Sequence, residues 1–188
     1  PPGPNGRVSP YLRAAAHELG ITEVHACGSA WAVAAMAHGA GPLEPVDLIA
    51  GPGNIWVTTA KKLLLGTVGI DMLAGPSEIC IIADESANPA WVAADMLSQA
   101  EHDPLACSVC ITTSGDMAAL VRSALAKQVE TLPRADGASA SLEAWGALVV
   151  PPALATAAGI ANRIAPAQLD LCVGGPSRPV PAIRDPAG

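Results

Sequence analysis

The sequence of 188 residues has no Phe and one Tyr, and aromatic residues make up 3% of it. Its core must therefore be built from Ala, Val, Ile and Leu, a composition typical of layered α/β domains. We expect the four Trp to fill gaps in that core. No apolar run reaches the ~18 residues that a membrane span requires, and the first residues lack the basic and apolar regions of a signal peptide. These absences predict a cytoplasmic protein with no membrane partner.

Basic residues are scarce as well, since 10 Lys and Arg stand against 17 Asp and Glu for a net charge of −7. That balance disfavours a protein that follows the phosphates of a nucleic acid. The five Cys are an odd number, which predicts buried, reduced thiols rather than a disulfide framework. Cys107 and Cys110 are three residues apart in a β-branched run, so they should face opposite sides of a strand and share no metal.

Short apolar segments alternate with helical patterns along the whole chain. This alternation predicts an α/β fold of two Rossmann-like lobes, with mostly parallel sheets flanked by helices. We expect a dinucleotide-binding-like lobe over 1–70 and a second lobe over 71–188. The predicted strands are 23–26, 48–50, 79–83, 109–113, 147–150 and 169–173. The predicted helices are 10–19, 29–39, 55–65, 89–102, 114–133 and 152–164, with a helical turn at 181–184.

A glycine-containing loop, Gly51-Pro52-Gly53-Asn54, follows a predicted strand and precedes a helix. Small residues at Gly51 and Gly53 let a ligand approach the backbone, and the helix N-terminus offers free N–H groups to an anion. The third glycine of a dinucleotide fingerprint is replaced by Val57. Asn54 explains the start of the helix equally well as a cap. Both a turn with a cap and a nucleotide site remain open.

Two further polar motifs lie in the second predicted lobe. Ser77 belongs to Gly75-Pro76-Ser77-Glu78, which is either a β-turn before a strand or a hydroxyl presented to a ligand. Gln99 and His102 are three apart near the end of a predicted helix, so they should share one face. A lone terminal His is more often a capping or solvated residue, and two ligands do not hold Zn²⁺. The spacing of Gln99 and His102 alone therefore makes metal binding the less favoured interpretation.

Several long blocks of the sequence, in order, resemble histidinol dehydrogenase. The blocks are 46–49, 51–54, 59–62, 69–78, 93–103, 132–135 and 161–166. The resemblance implies an NAD-dependent, zinc-containing homodimer whose small-molecule substrate, L-histidinol, is oxidised through the aldehyde to L-histidine. It also implies that Asn54 contacts the dinucleotide, that Ser77 contacts substrate, and that Gln99 and His102 are zinc ligands that also lie against the substrate. Members of the family are longer on both sides, so we expect this chain to match their central portion.

The sequence departs from the family where the chemistry is expected. The family motif after Ala-Pro reads Glu-His-Leu, in which His is the general base and Glu activates water. Here these positions are Ala167 and Gln168, neither of which can transfer a proton, and losing such a group typically costs ~10²–10⁴-fold in rate. No catalytic acid or base is therefore predicted. The family's Gly-Gly-Ala-Gln, whose Gln helps to hold the cofactor, reads Gly28-Ser29-Ala30-Trp31.

Three hypotheses follow from the resemblance and the departures. The chain is a shortened histidinol dehydrogenase, a paralogue repurposed as another enzyme or as a binding or dimerisation partner, or a folded relic without chemistry. The remaining zinc ligands of the family, an Asp and a His, are expected beyond the end of this chain. The two internal substitutions at 167 and 168 favour the second or third hypothesis, because shortening does not explain them.

Overall fold

A computed structural model describes residues 2–3, 5–75, 77–175 and 182–184 of the chain. The chain divides into two compact units, Pro1–Gly75 and Pro76–Gly188. Each is an α/β unit with parallel strands flanked by helices, which confirms the predicted fold class. The boundary lies after Gly75 rather than after residue 70, because the segment at 69–71 pairs with the strand at 48–49 in the first unit.

The first unit is built from three helices and a two-stranded parallel sheet. Its elements are α1 (Pro10–Glu18), α2 (Ser29–His38), β1 (Leu48–Ile49), α3 (Ile55–Leu64) and β2 (Gly69–Ile70). Strand β1 pairs with β2, so that Leu48 lies beside Gly69. The core between the helices and this sheet is formed by small and aliphatic side chains, namely Val33, Ala37, Ile49, Ala60 and Val68.

Two predictions for the first unit were wrong. The strand expected at 23–26 is irregular chain, and Glu23 and His25 instead pair with each other, with 2.7 Å between His25 Nε2 and Glu23 Oε1. Strand β2 lies within residues 69–78, where no strand was predicted. Its two residues, one of them Gly, are too short a run to carry an alternating pattern. Ser9 precedes α1, but its side chain makes no capping hydrogen bond.

The second unit contains a four-stranded parallel sheet with the order β5-β4-β3-β6. Its elements are β3 (Glu78–Ala83), α4 (Pro89–Ala100), β4 (Cys107–Thr112), α5 (Gly115–Val129), α6 (Ala135–Trp145), β5 (Gly146–Val149), α7 (Leu154–Ile164) and β6 (Gln168–Cys172). Ile79, Ile81 and Ala83 face α4, α5 and α6. Cys80 and Ile82 face α7 on the other side of the sheet.

Sequence patterns missed α6 and placed the end of α4 too late. Helix α6 contains Gly137 and two Ser, which favour turns, but it is held because Ala138 and Ser141 are fully buried. Helix α4 ends at Ala100, so His102 lies in the turn that follows it and not in its last helical turn. The helical turn expected at 181–184 begins at a residue outside the described part of the chain. Pro76, in the β-turn considered for 75–78, also lies outside it.

The Trp and Cys residues differ from expectation in burial. Trp31 is 83% exposed, and even Trp145, the least exposed of the four Trp, is 51% exposed, so the Trp do not fill the core. All five Cys are free thiols, but Cys27 is exposed. Burial raises the pKa of the Cys80 and Cys110 thiols to about 12, which keeps them protonated. The described helices include none with the length and apolar character needed to cross a bilayer.

Candidate functional site

The loop 51–54 of the first unit joins the end of β1 to the start of α3. Asn54 caps α3, because its Oδ1 accepts a hydrogen bond from the Val57 N–H at 3.2 Å. The cap proposed from sequence is therefore confirmed. The cap uses the side-chain oxygen of this exposed residue and does not engage its amide nitrogen. A cap and a ligand contact are thus compatible roles for Asn54.

Glycine is required at the two positions 51 and 53 of this loop for different physical reasons. Gly51 has a φ of 127°, a conformation that residues with a Cβ rarely adopt, and the space above it is open. Gly53 has an ordinary φ, but a Cβ there would overlap the side chain of Val57 in the first turn of α3. Val57 stands where a dinucleotide fingerprint has its third glycine, so Gly53 provides the close packing instead. The open loop and the helix N-terminus fit a phosphate or ribose of a dinucleotide.

An ion pair between the buried Lys61 and the more exposed Asp71 holds the start of this loop. Lys61 in α3 is 4% exposed, and its Nζ donates to Asp71 Oδ1 at 2.7 Å and to the carbonyl oxygen of Gly51 at 2.5 Å. The Gly51 N–H donates to Asp71 Oδ2 at 2.8 Å. The hydrogen bond from Lys61, and next that from Gly51, holds the pKa of Asp71 well below its ordinary value of 3.8.

Sequence reasoning assigned no role to Lys61 or Asp71. A signal was nevertheless present, since Val57, Ala60 and Leu64 form the apolar face of α3 and Lys61 lies four residues after Val57 on that same face. A lysine on an apolar helix face requires a partner for its charge.

In the second unit the candidate residues gather at the amino edge of the parallel sheet. Ser77 immediately precedes β3, and Ala167 and Gln168 stand at the start of β6. Gln168 is paired with Ile79. Helix α4 runs from the carboxyl edge of β3 back toward the start of β4, so its C-terminal end, with Gln99, reaches the same edge. The Cys107 N–H donates to the Ser77 carbonyl oxygen at 2.9 Å and fixes the backbone there.

The turn that carries His102 is tied down by hydrogen bonds on several sides. The His102 N–H donates to the Gln99 carbonyl oxygen at 3.2 Å, which continues the helical path tightly for one more turn. Arg134 Nη1 donates to the His102 carbonyl oxygen at 3.3 Å. Further along, Ser141 Oγ donates to the buried Ala106 carbonyl oxygen at 2.8 Å. Gln99 is half-buried and His102 is exposed, so both remain accessible to a ligand.

Gln168 shares one face of β6 with a carboxylate. Leu169 and Leu171 pack with α7, whereas Cys172 packs on the side of α4. Gln168 and Asp170 therefore also lie on the α4 side. Gln168 Nε2 makes a long hydrogen bond of 3.4 Å to Asp170 Oδ1.

The facing helix α4 brings a second carboxylate to this side of the sheet. Burial, and next the charge of Asp170, raises the pKa of Asp95 above its ordinary value. Gln99 lies one helical turn after Asp95, and Gln168 lies two residues before Asp170. Asp95 and Asp170 are far apart in the sequence, and no local motif marks them as a pair.

The donors present do not make a complete zinc site. Within the described residues, no group of three or more His, Cys, Asp and Glu side chains is placed to hold a metal ion. Gln99 and His102 are two donors, and structural and catalytic zinc sites use at least three protein ligands. Cys107 packs with the α7 face and Cys110 with the α4 face, as expected for a pair that shares no metal.

The carboxyl edge of the same sheet carries a depression of about 350 Å³ lined by Asp84, Glu85, Ser86 and Thr113. Ligands of open parallel sheets usually bind at this edge. None of the residues singled out from the sequence lies there. The second unit thus places its candidate residues at the opposite edge from the usual one.

The protein is a Rossmann-like α/β protein. Its two α/β units each contain a parallel sheet, the first has a glycine loop at a helix N-terminus, and the second has polar residues at one sheet edge. The sequence profile of histidinol dehydrogenase matches residues 1–188, and the chain belongs to the histidinol dehydrogenase family. Members of this family are oxidoreductases of histidine biosynthesis.

Individual relatives agree with this assignment. The chain is 59% identical over 173 residues to the histidinol dehydrogenase of Oleidesulfovibrio alaskensis, covering 92% of this chain and 40% of that protein. It is 48% identical over 184 residues to that of Desulfotalea psychrophila, covering 98% of this chain and 42% of the relative. The crystal structure of histidinol dehydrogenase from Elizabethkingia anophelis superposes with a TM-score of 0.90 at 34% identity, over 98% of this chain and 43% of that one. The chain spans about two fifths of the length of these relatives.

Proposed function

We propose that this chain binds NAD through the loop 51–54 and the N-terminus of α3. The open space above Gly51 lets a dinucleotide approach the backbone, and the first N–H groups of α3 favour its negative charge. Asn54 caps α3 through its side-chain oxygen, and the cap does not engage its amide nitrogen. When bound, NAD would supply the hydride acceptor for an alcohol oxidation.

We propose that the amino edge of the second unit binds a small imidazole-bearing amino alcohol of the histidinol type. The convergence of Ser77, Gln99 and His102 at this edge is the observation that carries the proposal. Gln99 and His102 would also hold zinc, but weakly, because two donors leave the ion mostly solvated. Zinc that remains stoichiometric after extensive dialysis of the purified protein would contradict weak binding.

The acid and base of the family's reaction are missing from this edge. Ala167 has no proton-accepting group, and the amide of Gln168 has no pKa in the useful range. We therefore propose a scaffold that binds cofactor and substrate but oxidises histidinol to histidine poorly or not at all. Asp170 Oδ1 accepts a long hydrogen bond of 3.4 Å from Gln168 Nε2, and in this proposal its carboxylate does not replace the missing base.

Binding and turnover should be measured on the same preparation. We expect NADH to quench the fluorescence of exposed Trp56, which lies two residues after Asn54. With L-histidinol, NAD⁺ and added zinc, we expect no NADH formation above a blank without protein. Absence of NADH binding would refute the cofactor proposal, whereas robust turnover would refute the loss of proton transfer.

The second candidate is a paralogue whose site serves another enzyme activity or a non-catalytic binding or dimerisation role. Its support is that Trp31 is 83% exposed where the family resemblance places an amide that contacts the cofactor. Trp31→Gln separates the two candidates. If the variant binds NADH more tightly, the native surface has lost cofactor affinity. Weaker binding would show that the indole serves the dinucleotide, and unchanged binding would remove this support for the second candidate.

We further propose that the protein is a homodimer of the cytoplasm without nucleic-acid partners. Free thiols are typical of a reducing compartment, and the exposed Trp residues offer apolar surface for a second copy. Light scattering coupled to gel filtration measures the mass in solution. A monomer at all concentrations would contradict the dimer.

A further inference from the structure

Both backbone polar groups of Gly51 are held by side chains from elsewhere in the first unit. Its carbonyl oxygen accepts from Lys61 Nζ at 2.5 Å, and its N–H donates to Asp71 Oδ2 at 2.8 Å. Lys61 and Asp71 are joined to each other at 2.7 Å, so the three groups close a ring of hydrogen bonds. Gly51 is the first residue of the loop and has a φ of 127°.

Burying the charge of Lys61 in this ring costs free energy, which other interactions must offset. A lysine that is 4% exposed has lost most of its hydration, and it is stabilised only by well-placed acceptors. Its two acceptors are the Asp71 carboxylate and the Gly51 carbonyl. An ion pair that only stabilised the fold would not need Gly51, a residue of the proposed ligand loop, as the third member of its ring of hydrogen bonds.

We propose that Lys61 and Asp71 are positioning residues that hold the loop 51–54 in the conformation that receives NAD. This inference rests on the proposed cofactor site. Lys61 is fixed in α3, whose N-terminus is capped by Asn54, so the pair sets the start of the loop relative to the helix end. Asp71 directly follows β2 and is anchored there, because its N–H donates to the Ile49 carbonyl oxygen at 3.3 Å.

The pair acts by reducing the number of loop conformations before the ligand arrives. A glycine loop without such ties samples many backbone states, and ordering it would weaken binding. Lys61 is buried, and both carboxylate oxygens of Asp71 are already bonded within the ring, one to Lys61 Nζ and the other to the Gly51 N–H. We therefore expect the affinity for NAD to depend on whether the hydrogen bonds of Gly51 are intact and not on the net charge of the protein.

The test compares NADH affinity of the full chain with that of Lys61→Met, Asp71→Ala and their double variant. Each single change should weaken binding about tenfold or more, since hydrogen bonds to charged groups contribute that much. The double variant has the net charge of the wild type and should remain weak. Asp71→Asn should recover part of the affinity, because its amide oxygen still accepts from the Gly51 N–H. Lys62→Met, the exposed neighbour on α3, should stay within about twofold of the wild type.

A second readout does not depend on the cofactor. Hydrogen exchange of the Gly51 amide, followed by NMR, should be slow in the wild type and fast in Asp71→Ala, with Lys62→Met unchanged. Wild-type affinity in both single variants, or restored affinity in the double variant, would overturn the positioning role. An unchanged Gly51 exchange rate in Asp71→Ala would overturn it as well. If the wild type itself binds no NADH, it is the proposed function that fails.

Discussion

Gln168 is paired with Ile79 at the first position where β6 joins β3, which places it beside the strand that Ser77 precedes. The position where the family resemblance implies an acid–base group and the position where it implies a substrate contact therefore share one edge of one sheet. Gln99, at the end of α4, reaches the same edge. At this edge the two positions expected to transfer protons, Ala167 and Gln168, have side chains that cannot do so.

Ser29 has a φ of 63° at the point where the family resemblance places a glycine. A residue with a Cβ in this left-handed region costs roughly 1–2 kcal/mol. We expect Ser29→Gly to raise the free energy of unfolding by about 1 kcal/mol. Ser139→Gly, at an exposed position inside α6, is the matched change and should instead lower stability slightly. Equal losses in urea denaturation would show that Ser29 is not strained.

Asn54 combines a cap with a proposed ligand contact, and two substitutions separate them. Asn54→Ala should cost about 1 kcal/mol of unfolding free energy, because the Val57 N–H loses its acceptor. Asn54→Ser keeps a capping oxygen but removes the amide. It should retain stability and yet bind NADH more weakly than the wild type. Wild-type affinity in Asn54→Ser would leave the residue with a capping role alone.

Ser141 supports the loop between His102 and β4 from within the core. Ser141→Ala leaves the buried Ala106 carbonyl without its side-chain donor and should cost about 1–3 kcal/mol of unfolding free energy. Ser139→Ala, on the exposed side of the same helix, is the control and should change stability little. Identical urea midpoints for the two variants would refute the supporting role.

Much of the fold follows from the sequence because the relevant signals are local. The helix at 10–19 and the strand at 79–83 were predicted from Gly and Pro at segment ends and from apolar runs, and each was observed within one or two residues. The missed helix α6 forms through burial of Ala138 and Ser141 against other elements. The helix propensity of the segment, taken by itself, does not reveal that burial.

The candidate site was only partly accessible from the sequence. Its members could be named from motifs, but their meeting at the amino edge depends on strand order and helix direction. The ring of Lys61, Asp71 and Gly51 joins residues far apart in sequence. The Trp were expected inside because of their size. In this fold the interior is filled by Ala, Val and Ile, and the indoles lie on the surface.

Stability should depend on acid pH through Asp71. Its pKa is lowered in the folded protein, so its contribution is complete above its ordinary value of 3.8 and is lost as the pH falls below that value. The gap in unfolding free energy between the wild type and Asp71→Ala should therefore be wide near neutral pH and narrower at about pH 3. Other carboxylates titrate in both proteins and cancel in this difference. A gap that is constant with pH would contradict the lowered pKa.

The most direct test of the lost proton transfer is the initial rate of NADH formation from L-histidinol with zinc supplied, for the wild type beside Ala167→Glu/Gln168→His. The prediction is a wild-type rate equal to the blank and a measurable rate in the double variant, because each restored group is worth ~10²–10⁴-fold. Wild-type turnover that Asp170→Asn abolishes would contradict it, since another carboxylate would then be doing the work of the missing base.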